Sequence, residues 1–421
     1  MSATKHRHRY DAVVVGARPA GAATGMLLAR AGLRVLIVDR SEYGADTMST
    51  HALMRGGVLQ LSRWGLLDQV ITAGTPPVRQ ATFYIGADRI TIAIKPADGV
   101  DALYAPRRTV LDPILADAAA AAGAEVRYGV TVKALQRDMA GRVTGIIGHD
   151  RSGRPVSAHA PFTVGADGMG SRVAHWVGAG ADRLGAAAGS VTYGYWPGVP
   201  VDGYEWFFRP GAAAGAIPTN HGQTCVFAAT TRERFRRELV RDPTTGFRRL
   251  LADAAPELAD RLADTPPAGP LRRFPGRLGH LRRAAGPGWA LVGDAGYFKD
   301  PITAHGLTDA LRDAELLARA ITAVHAGESD EETLLTGYQA SRDHLSLPLF
   351  EVTDTIAAYT WNAVQVDGLL KQLSAAMADE VDAILAYDNR ATEPGDKRRL
   401  PSDPRSADRA PSMTGVGNAD R

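Results

Sequence analysis

Hydrophobic and polar positions along this chain follow two periods, and the switches between them mark its elements. Residues 12–15 (AVVV) form an unbroken apolar run, as a strand buried on both faces requires. A glycine turn and an Ala/Leu-rich stretch come next, then a second apolar run ending in Asp39. The order reads strand, turn, helix, strand, acid. Over residues 58–70, Leu59, Leu61, Trp64, Leu66 and Leu67 recur at roughly helical spacing and predict a helix. ATFYIG and RITIAI predict a hairpin turning at Gly86-Ala87-Asp88. A helix is expected over 109–122, a strand over 125–127, and a strand pair over 131–148 turning at Gly141. A short apolar strand at 162–166 runs into Asp167-Gly168. Residues 189–230 have strand character throughout, and 231–263 read as helical and Arg-rich. Residues 289–292 predict a buried strand, 308–325 a strong helix and 331–385 mostly helix. From Thr392 onward no periodicity remains, so a disordered tail is expected over 391–421.

Strands of the first unit therefore return late in the chain, around a β-rich insertion. The expected fold is mixed α/β (α+β). A discontinuous Rossmann-like domain would use residues 8–78, 100–188 and 275–335. An inserted β-sheet domain would use 79–99 and 189–274 and supply a substrate pocket. A helical region would follow at 336–390.

Composition narrows the function. The 421 residues carry 48 basic and 46 acidic side chains, a net charge of +2, so no nucleic-acid footprint is expected. Cys225 is the only cysteine. This excludes intrachain disulfides, cysteine metal clusters and a CxxC redox pair. His6 and His8 fall in an unpatterned N-terminal segment, and the histidines show no metal spacing. No hydrophobic leader or membrane-spanning run is visible, so a soluble, cytoplasmic protein is expected.

The first unit carries the clearest chemistry. Gly16-x-Arg18-x-x-Gly21 follows the first strand and opens a helix. Gly16 permits the tight turn, Gly21 permits close helix–sheet packing, and the helix N-terminus offers N–H groups to a pyrophosphate. Pro19 suits the first helical turn, and Ala20 lies beside it. Asp39 stands 18 residues after Gly21, near the spacing of a carboxylate on a ribose hydroxyl, with Arg40 next to it. Arg18 replaces the usual second glycine. It leaves the N–H free to point inward and adds a positive charge.

Two later motifs place this unit in a family. Asp167-Gly168 within VGADGMGSRV resembles the DG motif of flavoprotein monooxygenases, and Gly293-Asp294 within WALVGDAG resembles their GD motif. Arg107-Arg108-Thr109-Val110-Leu111-Asp112, Asp300-Pro301 and Asp46-Thr47-Met48-Ser49-Thr50-His51 match further. Over roughly residues 10–350 the chain resembles the class A flavoprotein monooxygenases of the p-hydroxybenzoate hydroxylase-like fold. It is similar to an actinobacterial branch with a DTxSTH segment. The resemblance implies FAD, with Asp294 on the ribityl chain and Arg108 in contact with the cofactor. It also implies NADPH or NADH binding transiently, O2 adding to reduced flavin, and a C4a-hydroperoxide delivering one oxygen atom.

Pro301, Ala304, His305, Gly306 and Leu307 mark the start of a helix whose N-terminus would stabilise the anionic pyrimidine edge of reduced flavin. His305 reads either as a flavin or substrate contact or as a helix-start residue satisfied by backbone. His51 would lie near the flavin and act as a base on a phenol. Tyr193, Tyr195, Trp196, Trp206, Phe207 and Phe208 cluster in the insertion; they either cover an aromatic or polyketide-like substrate or pack the sheet. Of these, Tyr193, Tyr195, Trp206 and Phe208 are the pocket candidates. Pro218-Thr219-Asn220-His221 reads as a structural turn. Two related activities remain open: a geranylgeranyl-reductase-like saturase, and a halogenase. The nearest match to the halogenase motif WxWxIP is Tyr193-Gly194-Tyr195-Trp196-Pro197, and Lys95 is the lysine near the middle sheet. A flavin-binding pathway protein without turnover is a further alternative. A monomer or homodimer is expected.

Overall fold

The computed structural model describes residues 10–389. His6, His8 and the tail expected at 391–421 lie outside these residues. The chain opens with β1 (Ala12–Val15), α1 (Pro19–Arg30) and β2 (Val35–Asp39). Two short helices, α2 (Arg55–Arg63) and α3 (Leu67–Thr72), precede a hairpin, β3 (Gln80–Ile85) and β4 (Asp88–Ala93). Then come α4 (Arg108–Ala121), β5 (Glu125–Tyr128), β6 (Thr131–Arg137), β7 (Val143–His149), β8 (Pro155–His159), β9 (Phe162–Gly165), α5 (Arg172–Trp176) and β10 (Ala181–Leu184). The longer strands β11 (Gly189–Pro197), β12 (Tyr204–Arg209), β13 (Ala212–Thr219) and β14 (Gln223–Thr231) lead to α6 (Arg232–Glu238), α7 (Pro243–Ala254) and α8 (Pro256–Arg261). Short strands β15 (Arg272–Phe274), β16 (His280–Arg282), β17 (Ala285–Gly286), β18 (Trp289–Leu291) and β19 (Tyr297–Phe298) follow. Three long helices close the described chain: α9 (Gly306–Ala326), α10 (Glu331–Ala357) and α11 (Ala363–Asn389).

Two sheets organise the molecule. The first runs β17-β18-β9-β1-β2-β5, with β1 flanked by β2 and β9 in parallel pairing. Its central strands β1 and β2 are buried on both faces, which is why they read as unbroken apolar runs. The second sheet runs β15-β11-β14-β13-β12-β3-β4. It is antiparallel except where β12 meets β3, with Trp206 opposite Phe83. One face of the second sheet, including Trp196 and Phe207, packs on α6–α8. The other, including Tyr193, Tyr195, Trp206 and Phe208, joins the main core.

Several expectations were too coarse. The single helix read over 58–70 is two, because Gly65 (φ 72°) breaks it between Trp64 and Leu66. The helical stretch 231–263 is three helices, with Pro243 and Pro256 each starting a new one. The 331–385 stretch divides after Ala357, where Tyr359 takes φ 57°. β8, β10, β15, β16, β17 and β19 had no expectation; most are too short for any period to register. Among the described residues, no helix is long and apolar enough to cross a membrane.

Candidate active site

The glycine turn after β1 is shaped by backbone contact. Gly16 adopts φ 116°, and a Cβ there would lie 2.3 Å from the Ala166 carbonyl oxygen. A Cβ on Gly21 would lie 1.9 Å from the Gly16 oxygen. Only glycine lets β1, α1 and β9 approach this closely. Pro19 is the first residue of α1, and no side chain caps the helix. Its leading N–H groups are left for a ligand. Gly293 (φ 58°) packs against Ala20, where a Cβ would come within 2.8 Å, so the turn after β18 abuts the start of α1.

Asp294 follows that turn. Among the described residues its carboxylate makes no hydrogen bond or ion pair. Burial, reinforced by Asp309, pushes its carboxyl up to about 6. A half-buried, unpartnered carboxylate beside two glycine turns has an unmet need for donors, which a polyol chain would supply.

Arg18 extends across to α4, where its guanidinium lies 3.4 Å from Asp112. Arg108, the first residue of α4, grips the same carboxylate through two bonds of 2.6 and 2.9 Å. Both guanidiniums are thereby held over the start of α1. Asp39 accepts bonds from the Ala17 and Ser41 amides at 2.8 and 2.7 Å, while Arg40 is exposed at the rim. Asp167 accepts from Ser171 Oγ and from the Arg172 and Val173 amides, so its carboxylate caps α5.

The loop before α9 carries the remaining site candidates. Asp300 accepts from the Gly189 and Ile302 amides, and burial pushes its carboxyl up to about 7. Pro301 begins a single tight turn, Ala304 takes φ 50°, and α9 starts at Gly306 with no side-chain cap. Gly306 is exposed with nothing near its Cβ position, and Leu307 is half-buried.

A cavity of about 390 Å³ adjoins this loop at Thr303 and His305. Its floor is the edge of the second sheet, with Phe83, Trp206 and Phe208. Its remaining walls come from the start of α2 and from Leu373, Met377 and Val381 of α11. Of the four pocket candidates, Trp206 and Phe208 line it. Tyr193 and Tyr195 do not. They share the same face of the sheet, but β14 and β13 separate β11 from β12, a distance of about 14 Å across three strand spacings.

The two tyrosines instead bind the loop before α2. The Ser49 amide donates to Tyr193 Oη at 2.9 Å, and His51 Nε2 lies 2.5 Å from Tyr195 Oη. Arg107 stacks on the Tyr195 ring at 3.7 Å and, with Arg272, binds Asp46 at 3.1 and 2.7 Å. His51 is buried in the left-handed region (φ 70°) with no partner on Nδ1. Burial, aided by Arg107, Arg108 and Arg272, holds its basicity well below the ordinary histidine range. It is therefore a neutral imidazole, and it is off the cavity lining.

The parts present fit FAD. They include an uncapped helix start with free amides, two arginines beside it, an unpartnered carboxylate, and a second uncapped helix start at α9. The comparison with known families agrees: residues 9–349 match the family described as FAD binding domain. The chain belongs to that family. It is an FAD-dependent oxidoreductase. A digeranylgeranylglycerophospholipid reductase of Methanocella arvoryzae is 25% identical, covering 78% of this chain and 81% of that one. A putative polyketide hydroxylase of Streptomyces halstedii is 27% identical over 83% of this chain and 65% of its own length. Among solved structures, a flavin-dependent brominase superposes with a TM-score of 0.75 at 19% identity, covering 90% of this chain and 99% of that one. That likeness speaks to the fold.

Sequence reasoning gave Asp112 and Glu380 no role of their own, and it left open whether the helices over 331–385 cap the pocket or dimerise; α11 lines the cavity. Asp112 had a local signal, since Arg108 and Asp112 sit four apart on one helix face. Glu380 had none, because its partner His305 lies 75 residues away.

Proposed function

We propose that this flavoenzyme is a monooxygenase. It would use NADPH or NADH and O2 to hydroxylate or epoxidise an aromatic or polyketide-like small molecule. The observation that carries this reading is the apolar cavity meeting the loop before α9. A non-catalytic flavin carrier has no need of such a space. Within the family, FAD supplies two-electron redox chemistry and reactivity toward O2.

The residues of this chain do the rest. The amides at the start of α1, with Arg18 and Arg108 nearby, would hold the pyrophosphate. Asp294 would accept hydrogen bonds from the ribityl hydroxyls. Asp39 would serve the ribose edge, and Asp167 would support the site by fixing α5. The start of α9, from Pro301 to Leu307, would face the pyrimidine edge of the ring. Phe83, Trp206, Phe208 and the α11 side chains exclude water from the ligand. The 46–51 segment, including the DTxSTH match, is a frame tied to β11, and His51 acts there as a neutral hydrogen-bonding partner of Tyr195.

Relatives with reductase and brominase names keep saturation and halogenation in view. Two features favour oxygenation over halogenation. Trp196 of the nearest halogenase-like motif packs on the far face of the sheet and donates to Thr265 O at 3.0 Å. Lys95 is exposed and off the cavity lining.

The test is to supply NADPH or NADH, O2 and 2-naphthol, with and without bromide, and to analyse products by mass. A hydroxylated product formed regardless of bromide supports the reading. A brominated product, or one gaining only hydrogen, replaces it.

A further inference from the structure

Five arginines around the site meet a carboxylate. Arg18 and Arg108 share Asp112, Arg107 and Arg272 share Asp46, and Arg312 holds Asp309 and Asp313. Arg277 and Arg282 do not. Among the described residues, Arg277 makes no hydrogen bond or ion pair, and the Arg282 guanidinium bonds only the Ala295 carbonyl, at 2.8 Å.

The two residues bridge the later nucleotide motifs. Arg277 lies on the turn between β15 and β16, and a Cβ on Gly170 would be 3.9 Å from its Nη1, so the guanidinium sits beside the loop that follows Asp167-Gly168. That turn is held against β11: a Cβ on Gly276 would lie 2.6 Å from the Gly189 carbonyl oxygen. Arg282 reaches from β16 to Ala295, the residue after Asp294, and His280 Nε2 on the same strand lies 3.2 Å from the Asp294 carbonyl oxygen. Arg277 is exposed and Arg282 half-buried. Burial and the Arg277 charge lower the basicity of Arg282, and Asp167 opposes them. Burial, then Arg282 and Arg277, also push His280 down to about 4, so it is neutral. Asp167 spends its oxygens on Ser171 and the first amides of α5 rather than on either guanidinium. Two neighbouring cations with no carboxylate paired to them repel each other, and a bound anion relieves that cost.

We infer that Arg277 and Arg282 form a clamp for a phosphate of the nicotinamide dinucleotide, docking the electron donor beside the 167–170 loop while FAD is in place. Guanidiniums suit this task, because their planar N–H groups match phosphate oxygens. The donor offers two such groups: the pyrophosphate common to NADH and NADPH, and the 2′-phosphate of NADPH alone. The FAD pyrophosphate has its own partners in the α1 amides, Arg18 and Arg108, so it leaves the clamp free. The inference rests on the proposed use of NADPH or NADH, and it adds the residues that receive the donor.

The experiment is calorimetric titration of the FAD-loaded full-length chain with NADP+ and with NAD+, neither of which can reduce the flavin. Arg277→Gln is expected to weaken binding by about fivefold to twentyfold. A loss confined to NADP+ assigns the 2′-phosphate to the clamp; a loss with both nucleotides assigns the pyrophosphate. Arg277→Lys should recover part of the affinity, since it keeps the charge but not the planar fork. Arg277 has no partner in the fold, so Arg277→Gln should keep its FAD and melt at or above the wild-type temperature, whereas loss of a structural residue would lower the melt. Affinity for both nucleotides unchanged in Arg277→Gln, no binding of either by the wild type, or loss of FAD from the variant overturns the inference. Because no turnover is read, dependence of nucleotide binding on Arg277 beside a brominated or merely reduced product would sink the proposed function alone. Hydroxylation by a chain whose nucleotide affinity ignores Arg277 would sink this inference alone.

Discussion

The two ends of the active site are built by opposite means. The cofactor end is backbone work. Gly16, Gly21 and Gly293 set how closely three segments approach, and helix starts supply the donors. The cavity end is side-chain work, assembled from α2, the edge of the second sheet, the 301–306 loop and α11. Backbone geometry tolerates almost no substitution at a few positions, whereas a side-chain wall can be rebuilt piece by piece.

The largest effect should come from Gly16→Ala. The left-handed φ and the 2.3 Å approach to Ala166 O both oppose a methyl group. A loss of at least about 3 kcal/mol is expected, with little yellow protein recovered. Thermal unfolding and flavin absorbance check this; a stable yellow variant would erase the contrast between the two ends.

Asp294→Asn should separate stability from function at the cofactor end. The carboxyl is raised from its ordinary 3.8 to about 6. Its ionised form therefore costs stability above about 6, and the cost is relieved as pH falls toward 3.8. The flavin-free variant should be more stable than wild type near neutral pH by up to about 3 kcal/mol, the gap closing in acid. Its flavin retention should fall about tenfold or more. Denaturant melts across pH and flavin release by filtration measure the two halves.

Trp206→Ala should act only at the cavity end. Loss of this indole from the floor is expected to weaken 2-naphthol binding by roughly 2 kcal/mol, with flavin retention unchanged. If flavin is lost too, the two ends are not separable. The smallest effect should be Arg18→Gly. Restoring the usual glycine should weaken flavin retention by about threefold to tenfold, because a guanidinium is lost. Tighter retention would mean that Arg18 obstructs the pyrophosphate.

Legibility in the sequence followed the same division. Gly16 and Gly21 lie in one short motif whose spacing is fixed by local geometry, whereas Gly293 and Asp294 were joined to it by the family resemblance, and the Gly293–Ala20 contact brings the two turns together. The cavity depends on strand order: Tyr193 and Trp206 look equivalent in alternation, and only the β11-β14-β13-β12 order sets them apart. Asp167 shows a third case, where a motif residue recognised by resemblance turns its carboxylate to a helix cap. Glu380 carries no pattern of its own, since a single acid on a long helix looks like any solvated residue until the fold brings it to His305.

The central claim is that a ligand in the α11-walled cavity receives oxygen at the flavin. Turnover of 2-naphthol with NADPH or NADH under isotopically labelled dioxygen measures this directly. The account predicts one labelled oxygen atom in the product, lost when Trp206→Ala weakens binding at subsaturating ligand. A product carrying no label, or label arriving from water, would contradict it.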